Sequence, residues 1–378
     1  MRPKLRPLRP TGPVALLSVC MGAALVPGLL SAQDAPEYPT EEEIREAKNA
    51  PLFTSHETLQ LTLTADFHTI REDDRSDEDS QERPAVMEWV NPDGTTGTQE
   101  IMIQTRGNFR LSKRNCDFPP LRLDVDRSEA EGTLFEIQDK LKMVVPCKLG
   151  QDYWEQYVLA EYLVYRMLNV LTPISFRVRL VRATFVDSSG EDDPFTRYAF
   201  LLEDDSELAK RAGGIKQDWQ GGQLNPVLLD RDYAILVEFF QYMIGNTDWS
   251  GAEMHNMELI RNAEQRPMAV PFDFDFSGII ETRYAVPDHS LPIRSVRQRL
   301  FRGFCPDQLN RQPQEYQAVV DHFQQKREEI YDLWRNQEGL DRGRLEDTLE
   351  YLDEFFQVLE SPDRVQSYML DQCVRIGG

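Results

Sequence analysis

The apolar residues of this chain change period several times, and each change predicts an element. Residues 14–30 form an uninterrupted uncharged run. Leu59, Leu61, Leu63, Ala65 and Phe67 then alternate with polar neighbours, the period-2 signature of a half-buried strand. Strand patterns resume at 85–90 and 98–106, around the turn sequence Asn91-Pro92-Asp93-Gly94. Residues 121–125 and 140–145 add two more, so the N-terminal part predicts a mostly antiparallel sheet. Residues 151–171 switch to helical spacing through Trp154, Val158, Tyr162 and Tyr165, and Pro173 ends the helix. A strand pair follows at 176–186 and 197–202, then a largely apolar helix at 228–244 and two short strands at 256–260 and 268–272. Two long helices close the chain. One is carried by Tyr316, Val319, Val320, Phe323, Ile330 and Trp334, the other by Leu345, Leu349, Leu352, Phe356 and Leu359.

The order is sheet, helix, strands, then mostly helices. It predicts an α+β, bilobal fold, with a β-rich small lobe over residues 57–205 and a mainly helical large lobe over 206–378. Residues 33–56 predict an extended leader with one short acidic helix at 40–48. Residues 71–84 carry seven acids, three bases and no large apolar residue, a solvated loop. No internal repeat and no second hydrophobic span is present.

Composition changes two points. The chain has 378 residues, with 42 Lys and Arg against 64 Asp and Glu, net −22. Sequence-independent nucleic-acid binding needs the opposite sign and is disfavoured, as is attraction to anionic lipid. Arg2, Lys4, Arg6 and Arg9, the apolar run and Ser31-Ala32 together follow the plan of a secretory signal peptide over residues 1–32, cut after Ala32. Its removal leaves 38 bases against 64 acids, net −26, and an exported protein, periplasmic or extracellular, with no integral membrane span. Cys116, Cys147, Cys305 and Cys373 then remain, an even number without a CxxC pair. They predict up to two disulfides in any of three connectivities rather than a zinc site.

The candidate chemistry lies in two segments. Gly245-Asn246-Thr247-Asp248-Trp249-Ser250, followed by His255-Asn256, forms a polar loop directly after the apolar helix. Pro271-Phe272-Asp273-Phe274-Asp275-Phe276-Ser277-Gly278 places two acids in an apolar run. If that run is extended, Asp273 and Asp275 share one side and repel unless a cation or hydrogen bonds compensate. Hard oxygen ligands suit Mg²⁺ or Mn²⁺. Asp248, then Asn256, then Asp273 and Asp275 is the chain order that phosphoryl transfer uses: an Asp beside the attacking hydroxyl, an Asn and an Asp on the metal. No G-x-S-x-G elbow is present, which disfavours a serine hydrolase. His255 has no second His at ligand spacing and reads as a loop hydrogen-bonder. Arg283, Arg294, Arg297, Arg299 and Arg302 stand with one acid, Asp288, in residues 283–302. They form either an anion or substrate patch or a set of salt bridges to the acidic remainder, with Ile293, Val296 and Leu300 as a short helical face.

In these segments the chain resembles the CotH-like kinases, named for a spore-coat protein and distantly related to protein kinases. The matching segments run in order: Thr105-Arg106-Gly107-Asn108 with Pro119-Pro120-Leu121-Arg122-Leu123; Lys140-Leu141-Lys142-Met143-Val144-Val145; Tyr157-Val158-Leu159-Ala160-Glu161-Tyr162-Leu163; Asn246-Thr247-Asp248 with His255-Asn256; and Pro271-Phe272-Asp273-Phe274-Asp275. They span about residues 95–290. The resemblance implies a protein-kinase-like fold. It also implies phosphate transfer from ATP to a protein or other hydroxyl-bearing substrate, with Mg²⁺ or Mn²⁺. It makes Asp248 the catalytic Asp and Asn256 and Asp273 metal ligands, with Asp275 a second carboxylate. Arg106, Lys113, Arg122 and Lys142 become the candidate cations for nucleotide phosphates, and Glu161 the partner of Lys142. The chain departs from protein kinases in lacking a GxGxxG loop before the first helix and in separating Asp248 and Asn256 by eight positions. A non-catalytic kinase-like envelope or surface binding protein is the alternative, and a carboxylate-metal hydrolase using Asp273 and Asp275 a third.

Overall fold

A computed structural model describes residues 37–72, 80–107, 109–262 and 266–376. The signal-peptide segment 1–32, the centre of the acidic loop (73–79) and Asn108 lie outside these residues. Thr40 caps α1 (Glu41–Lys48): its hydroxyl accepts the Glu43 N–H at 3.3 Å, and the Glu43 carboxylate accepts the Thr40 N–H at 2.8 Å. Ala50, Leu52 and Phe53 then enter the same core as the first strands, so much of the expected leader is built into the fold.

β1 (Leu59–Ala65) alternates as the sequence predicts. Phe67 does not continue it but opens α2 (Phe67–Glu72), because the Asp66 carboxylate accepts the Thr69 N–H at 2.9 Å and turns the chain. Next come β2 (Arg83–Val90), β3 (Thr96–Thr105), β4 (Leu121–Asp124), the single turn α3 (Arg127–Ala130) and β5 (Lys140–Val144). α4 (Tyr153–Leu171), β6 (Val178–Asp187) and β7 (Phe195–Leu202) complete this part. The strands close into a barrel in the order β1-β2-β3-β4-β5-β7-β6. The sheet is mixed rather than purely antiparallel: β1 and β6 run parallel, from Leu59 opposite Val181 to Ala65 opposite Asp187. Parallel neighbours need a crossover rather than a hairpin, and the chain between β1 and β6, α4 included, supplies it. Leu61, Leu63, Met87, Trp89, Leu123, Leu141, Met143, Phe185 and Leu201 fill the interior.

The C-terminal region is mainly helical. It contains α5 (Asp205–Arg211), β8 (Gly214–Lys216), α6 (Arg231–Ile244), β9 (Met257–Asn262), β10 (Met268–Pro271), α7 (Pro306–Leu309), α8 (Pro313–Arg335), α9 (Arg342–Leu359) and α10 (Pro362–Tyr368). α5, β8 and α10 were not legible as elements in the sequence pattern. β10, β9 and β8 form a small antiparallel sheet. A second core unites this region with α4 through Tyr165, Phe239, Phe240, Phe274, Phe323, Trp334 and Phe356. Residues 283–302 do not form the expected short helix. They are irregular, and Pro287 and Pro292 would interrupt a helical hydrogen-bond ladder there.

Two disulfides, Cys116–Cys147 and Cys305–Cys373, select one of the three connectivities. The first ties the segment between β3 and β4 to the exit of β5; the second ties the start of α7 to the C-terminal segment. Disulfides persist in oxidising compartments, which fits export. Among the described residues no helix is long and apolar enough to cross a membrane.

Candidate functional site

α6 delivers the site. The Asp230 carboxylate caps its first turn by accepting the Tyr233 N–H at 3.0 Å, and Gly245 ends it in the left-handed conformation, φ 65°. Gly245 has no room for a side chain, since a Cβ would lie 2.0 Å from Tyr351 Oη. In the following loop the Asn246 side chain accepts the Asp248 N–H at 2.9 Å, and Trp249 Nε1 donates to the Asn246 carbonyl at 3.1 Å. Ser250 and His255 exchange two backbone hydrogen bonds of 3.1 Å, which folds the chain back on itself. His255 Nε2 thereby lies 3.0 Å from Asp248 Oδ1. Asn256 Nδ2 donates to the Asp248 carbonyl at 2.8 Å and to its Oδ2 at 3.2 Å. The Asp248 side chain is 42% exposed, so it is fixed in orientation yet open to a substrate.

β9 and β10 bring the second segment to the same place. Pro271 pairs with Met257, and one step further the Phe272 N–H donates to the Asn256 carbonyl at 3.1 Å. Asn256 and Asp273 therefore emerge at one end of the hairpin. Both are in the left-handed region, φ 53° and 60°, sparsely populated for residues other than glycine and concentrated at functional sites. The Asp273 N–H donates to Tyr165 Oη at 2.9 Å, which docks this turn on α4. Residues 272–278 thus turn, so the condition under which Asp273 and Asp275 would share one side of an extended run is not met. Backbone bonds from Gly278 to the Gly245 carbonyl (3.1 Å) and from Ile279 to the Ile244 carbonyl (3.0 Å) fasten the turn to the end of α6.

The turn still leaves the carboxylates in one another's field. Burial, then the charge of Asp273, pushes Asp275 up to about 7, while Arg110 and the Tyr284 hydroxyl, 2.7 Å from Asp275 Oδ2, oppose the shift. Glu161 on α4 is raised well above the usual carboxylate range, by burial first and then by Asp275 and Asp273, with Arg110 and Arg106 opposing. Burial and Glu161 likewise raise the Tyr165 phenol, and burial and Asp275 the Tyr284 phenol, so both stay protonated.

The structure divides the expected cations. Arg106 acts on Glu161 and Tyr165, beside the cluster. Lys113 instead donates to the Glu72 carbonyl at 2.5 Å, and Arg122 faces Gln104 and Glu82. Lys142 does not pair with Glu161. Its Nζ lies 2.6 Å from Asp205, because Lys142 is opposite Leu202 on β7 and Asp205 opens α5 three residues later. The arginines of 283–302 do not converge on one patch. Arg283 donates to Tyr153 Oη at 2.9 Å, Arg297 pairs with Asp347 and Arg299 with Glu354, each at 2.9 Å, and Arg294 is exposed. Arg302 donates to the Thr247 carbonyl at 2.5 Å, which props the loop carrying Asp248. These contacts favour the salt-bridge and scaffold side of the alternative.

The donor set suits a hard divalent cation. With the Asn256 side-chain Nδ2 donating to Asp248, its Oδ1 accepts no hydrogen bond among the described residues and could ligate, and Asp273 and Asp275 add carboxylates whose mutual repulsion a cation would offset. Among the described residues no group of three or more His, Cys, Asp and Glu side chains could hold a metal alone. Mg²⁺ takes one or two carboxylates and completes its shell with water and phosphate, so this set fits a site shared with a phosphate ligand.

Sequence reasoning missed Arg110, Tyr165 and Tyr284. Arg110 donates to the Val145 carbonyl, next to the Cys116–Cys147 bridge, and faces three acids. Its only sequence signal was its place four residues after Arg106. No protein-family model matches the chain, and no curated protein matches it either.

Proposed function

We propose that the chain is an exported CotH-like kinase that transfers phosphate from ATP to a hydroxyl on a protein or other substrate. The observation that carries this reading is the meeting of Asp248, Asn256, Asp273 and Asp275 at one end of the β9–β10 hairpin, in the chain order of kinase-like sites. A β-rich region followed by a mainly helical one supports the protein-kinase-like plan.

Asp248, held by His255 and Asn256, accepts the proton of the attacking hydroxyl. Asn256 and Asp273, with Asp275 behind them, would hold Mg²⁺ or Mn²⁺, which when bound supplies charge to the nucleotide phosphates. Arg106 and Arg110 hold the buried acids in place and are the cations nearest to them in effect. The turn of residues 272–278 positions Asp273 against α4 through Tyr165.

A non-catalytic kinase-like binding protein is the second reading, and the Lys142–Asp205 pair favours it, because it diverts the lysine that the resemblance assigns to phosphates. Incubation of the purified protein with γ-labelled ATP and Mn²⁺ separates the two. Label on the protein itself or on an added acceptor supports the kinase. Absence of label, with no metal-dependent ATP binding, leaves the binding protein.

A further inference from the structure

Two segments of opposite charge meet beside Asp275 without sharing an element. Arg106, Phe109 and Arg110 follow β3; Asp273, Asp275 and Tyr284 follow β10. Phe109 stands between the two. Its ring centroid lies 5.7 Å from that of Phe276, at 83°, and 5.2 Å from that of Tyr284. Phe276 and Tyr284 are themselves 5.6 Å apart. All three separations fall in the range of attractive aromatic pairs, about 4.5–7 Å.

The three rings close on a carboxylate. Tyr284 Oη donates to Asp275 Oδ2 at 2.7 Å, and the Thr282 hydroxyl donates to the Asp275 carbonyl at 2.9 Å. The Tyr284 ring also stacks on Trp154 of α4, 6.0 Å away at 15°, and Trp154 packs with the Cys116–Cys147 bridge. Phe109 and Trp154 thus both hold the ring that orients this hydroxyl. The backbone around Phe109 is fastened in turn. The Asn115 side-chain amide donates to the Phe109 carbonyl at 2.7 Å, and the Arg110 guanidinium donates to the Val145 carbonyl.

Phe109 is nevertheless 41% exposed and belongs to none of the buried cores. Filling the interior therefore does not account for a large apolar side chain at this position. Among the described residues no backbone hydrogen bond joins residues 106–110 to 272–284, so ring contacts and charge carry the junction.

We propose that Phe109 is a positioning residue of the Asp248 site. Its ring latches the segment carrying Arg106 and Arg110 onto Phe276 and Tyr284 and, through the Tyr284 ring, keeps a hydrogen-bond donor on Asp275. It acts through these residues and not by contact with metal or nucleotide. The inference rests on the metal–nucleotide reading of the site.

Two measurements test it, and only the second needs a ligand. Amide hydrogen exchange of the metal-free protein is compared for wild type, Phe109→Ala and Phe109→Tyr, which keeps the ring. Phe109→Ala is expected to raise exchange in residues 272–284 and leave α8 protected, and Phe109→Tyr to keep the wild-type pattern. Calorimetric titration with Mn²⁺ and ATP then reads Phe109→Ala, Tyr284→Phe and the two changes combined. Each single change is expected to weaken binding about tenfold, and the combination no further than Tyr284→Phe alone. Wild-type protein that binds no ATP sinks the kinase reading, and the exchange data then decide the latch on their own. Exchange that is unchanged in 272–284 or raised equally in α8 overturns the proposal. So does a wild-type ATP affinity that Phe109→Ala leaves intact, or losses that multiply in the combined variant.

Discussion

α4 carries clusters of opposite sign on neighbouring stripes. Beside Glu161 and Tyr165 the excess charge is negative and gathers Asp273, Asp275 and, at the solvent edge, Asp248. Beside Tyr162 and Arg166 the excess is positive and gathers His56 and Arg179. The two sides handle like charge differently. The acidic side supplies donors to its acids, Tyr284 to Asp275 and Asn256 to Asp248, and places them on turns with left-handed residues. The basic side turns Arg166 to the Tyr162 hydroxyl and Arg179 to the Ser55 carbonyl, and among the described residues leaves the Nε of each unpartnered. In a chain of net −22 the total charge therefore says little about function. What points to ligands is where like charges are held together against their repulsion.

The largest expected effect is on the acidic side. Asp248→Ala lowers phosphate incorporation about 10²- to 10⁴-fold if Asp248 is the general base. Because the side chain is exposed, the unfolding midpoint of that variant stays at the wild-type value. Undiminished incorporation would remove the catalytic role from the acidic side. Next is the Cys116→Ser/Cys147→Ser pair. Its sequence separation is 31, and losing the bridge costs about 2–4 kcal/mol in denaturant unfolding. The same change frees the segment carrying Arg106 and Arg110, so nucleotide affinity should fall with stability. An affinity that holds while stability drops would show that these arginines serve the fold alone.

Gly245→Ala forces a Cβ against Tyr351 Oη in a left-handed residue, and about 1–3 kcal/mol of stability should be lost. An unchanged chemical-denaturation midpoint would mean that the Asp248 loop is not held as described. The smallest effect is on the basic side. His56 has a folded pKa of about 4 against an ordinary 6.5, so the unfolded chain binds more protons between those values. His56, facing Arg166 of α4 and Arg179 of β6, therefore contributes a stability loss as pH falls from about 6.5 to about 4. His56→Gln should flatten the stability profile across that window. A profile unchanged by His56→Gln would show that the arginines do not act on that side as argued.

Much of the fold was legible because burial imposes a period. Leu59 to Ala65, Val158 to Tyr165 and Tyr316 to Trp334 each face one core, and their spacing alone gives strand, helix and helix. Phe67 fitted the same alternation but belongs to a helix, because a single carboxylate, that of Asp66, turns the chain before it. The parallel closure of β1 on β6 had no sequence signal, since pairing partners 122 positions apart leave no local pattern. At the site, Asp248, Asn256, Asp273 and Asp275 were legible from composition and order. Arg110, Tyr165 and Tyr284 were not. Their roles arise from long-range contacts, such as Tyr165 Oη with the Asp273 N–H over 108 positions. The Lys142–Glu161 pair was expected by resemblance and replaced by Lys142–Asp205, a contact fixed by how α5 follows β7.

Calorimetric titration of ATP with Mn²⁺ into wild type and Asp273→Asn tests the central claim most directly. The account predicts saturable, metal-dependent binding to the wild type that is lost in EDTA and weakened at least about tenfold in the variant. ATP binding that is absent from the wild type, or equal in both proteins, would contradict the assignment of Asp273 and Asn256 to a metal–nucleotide site.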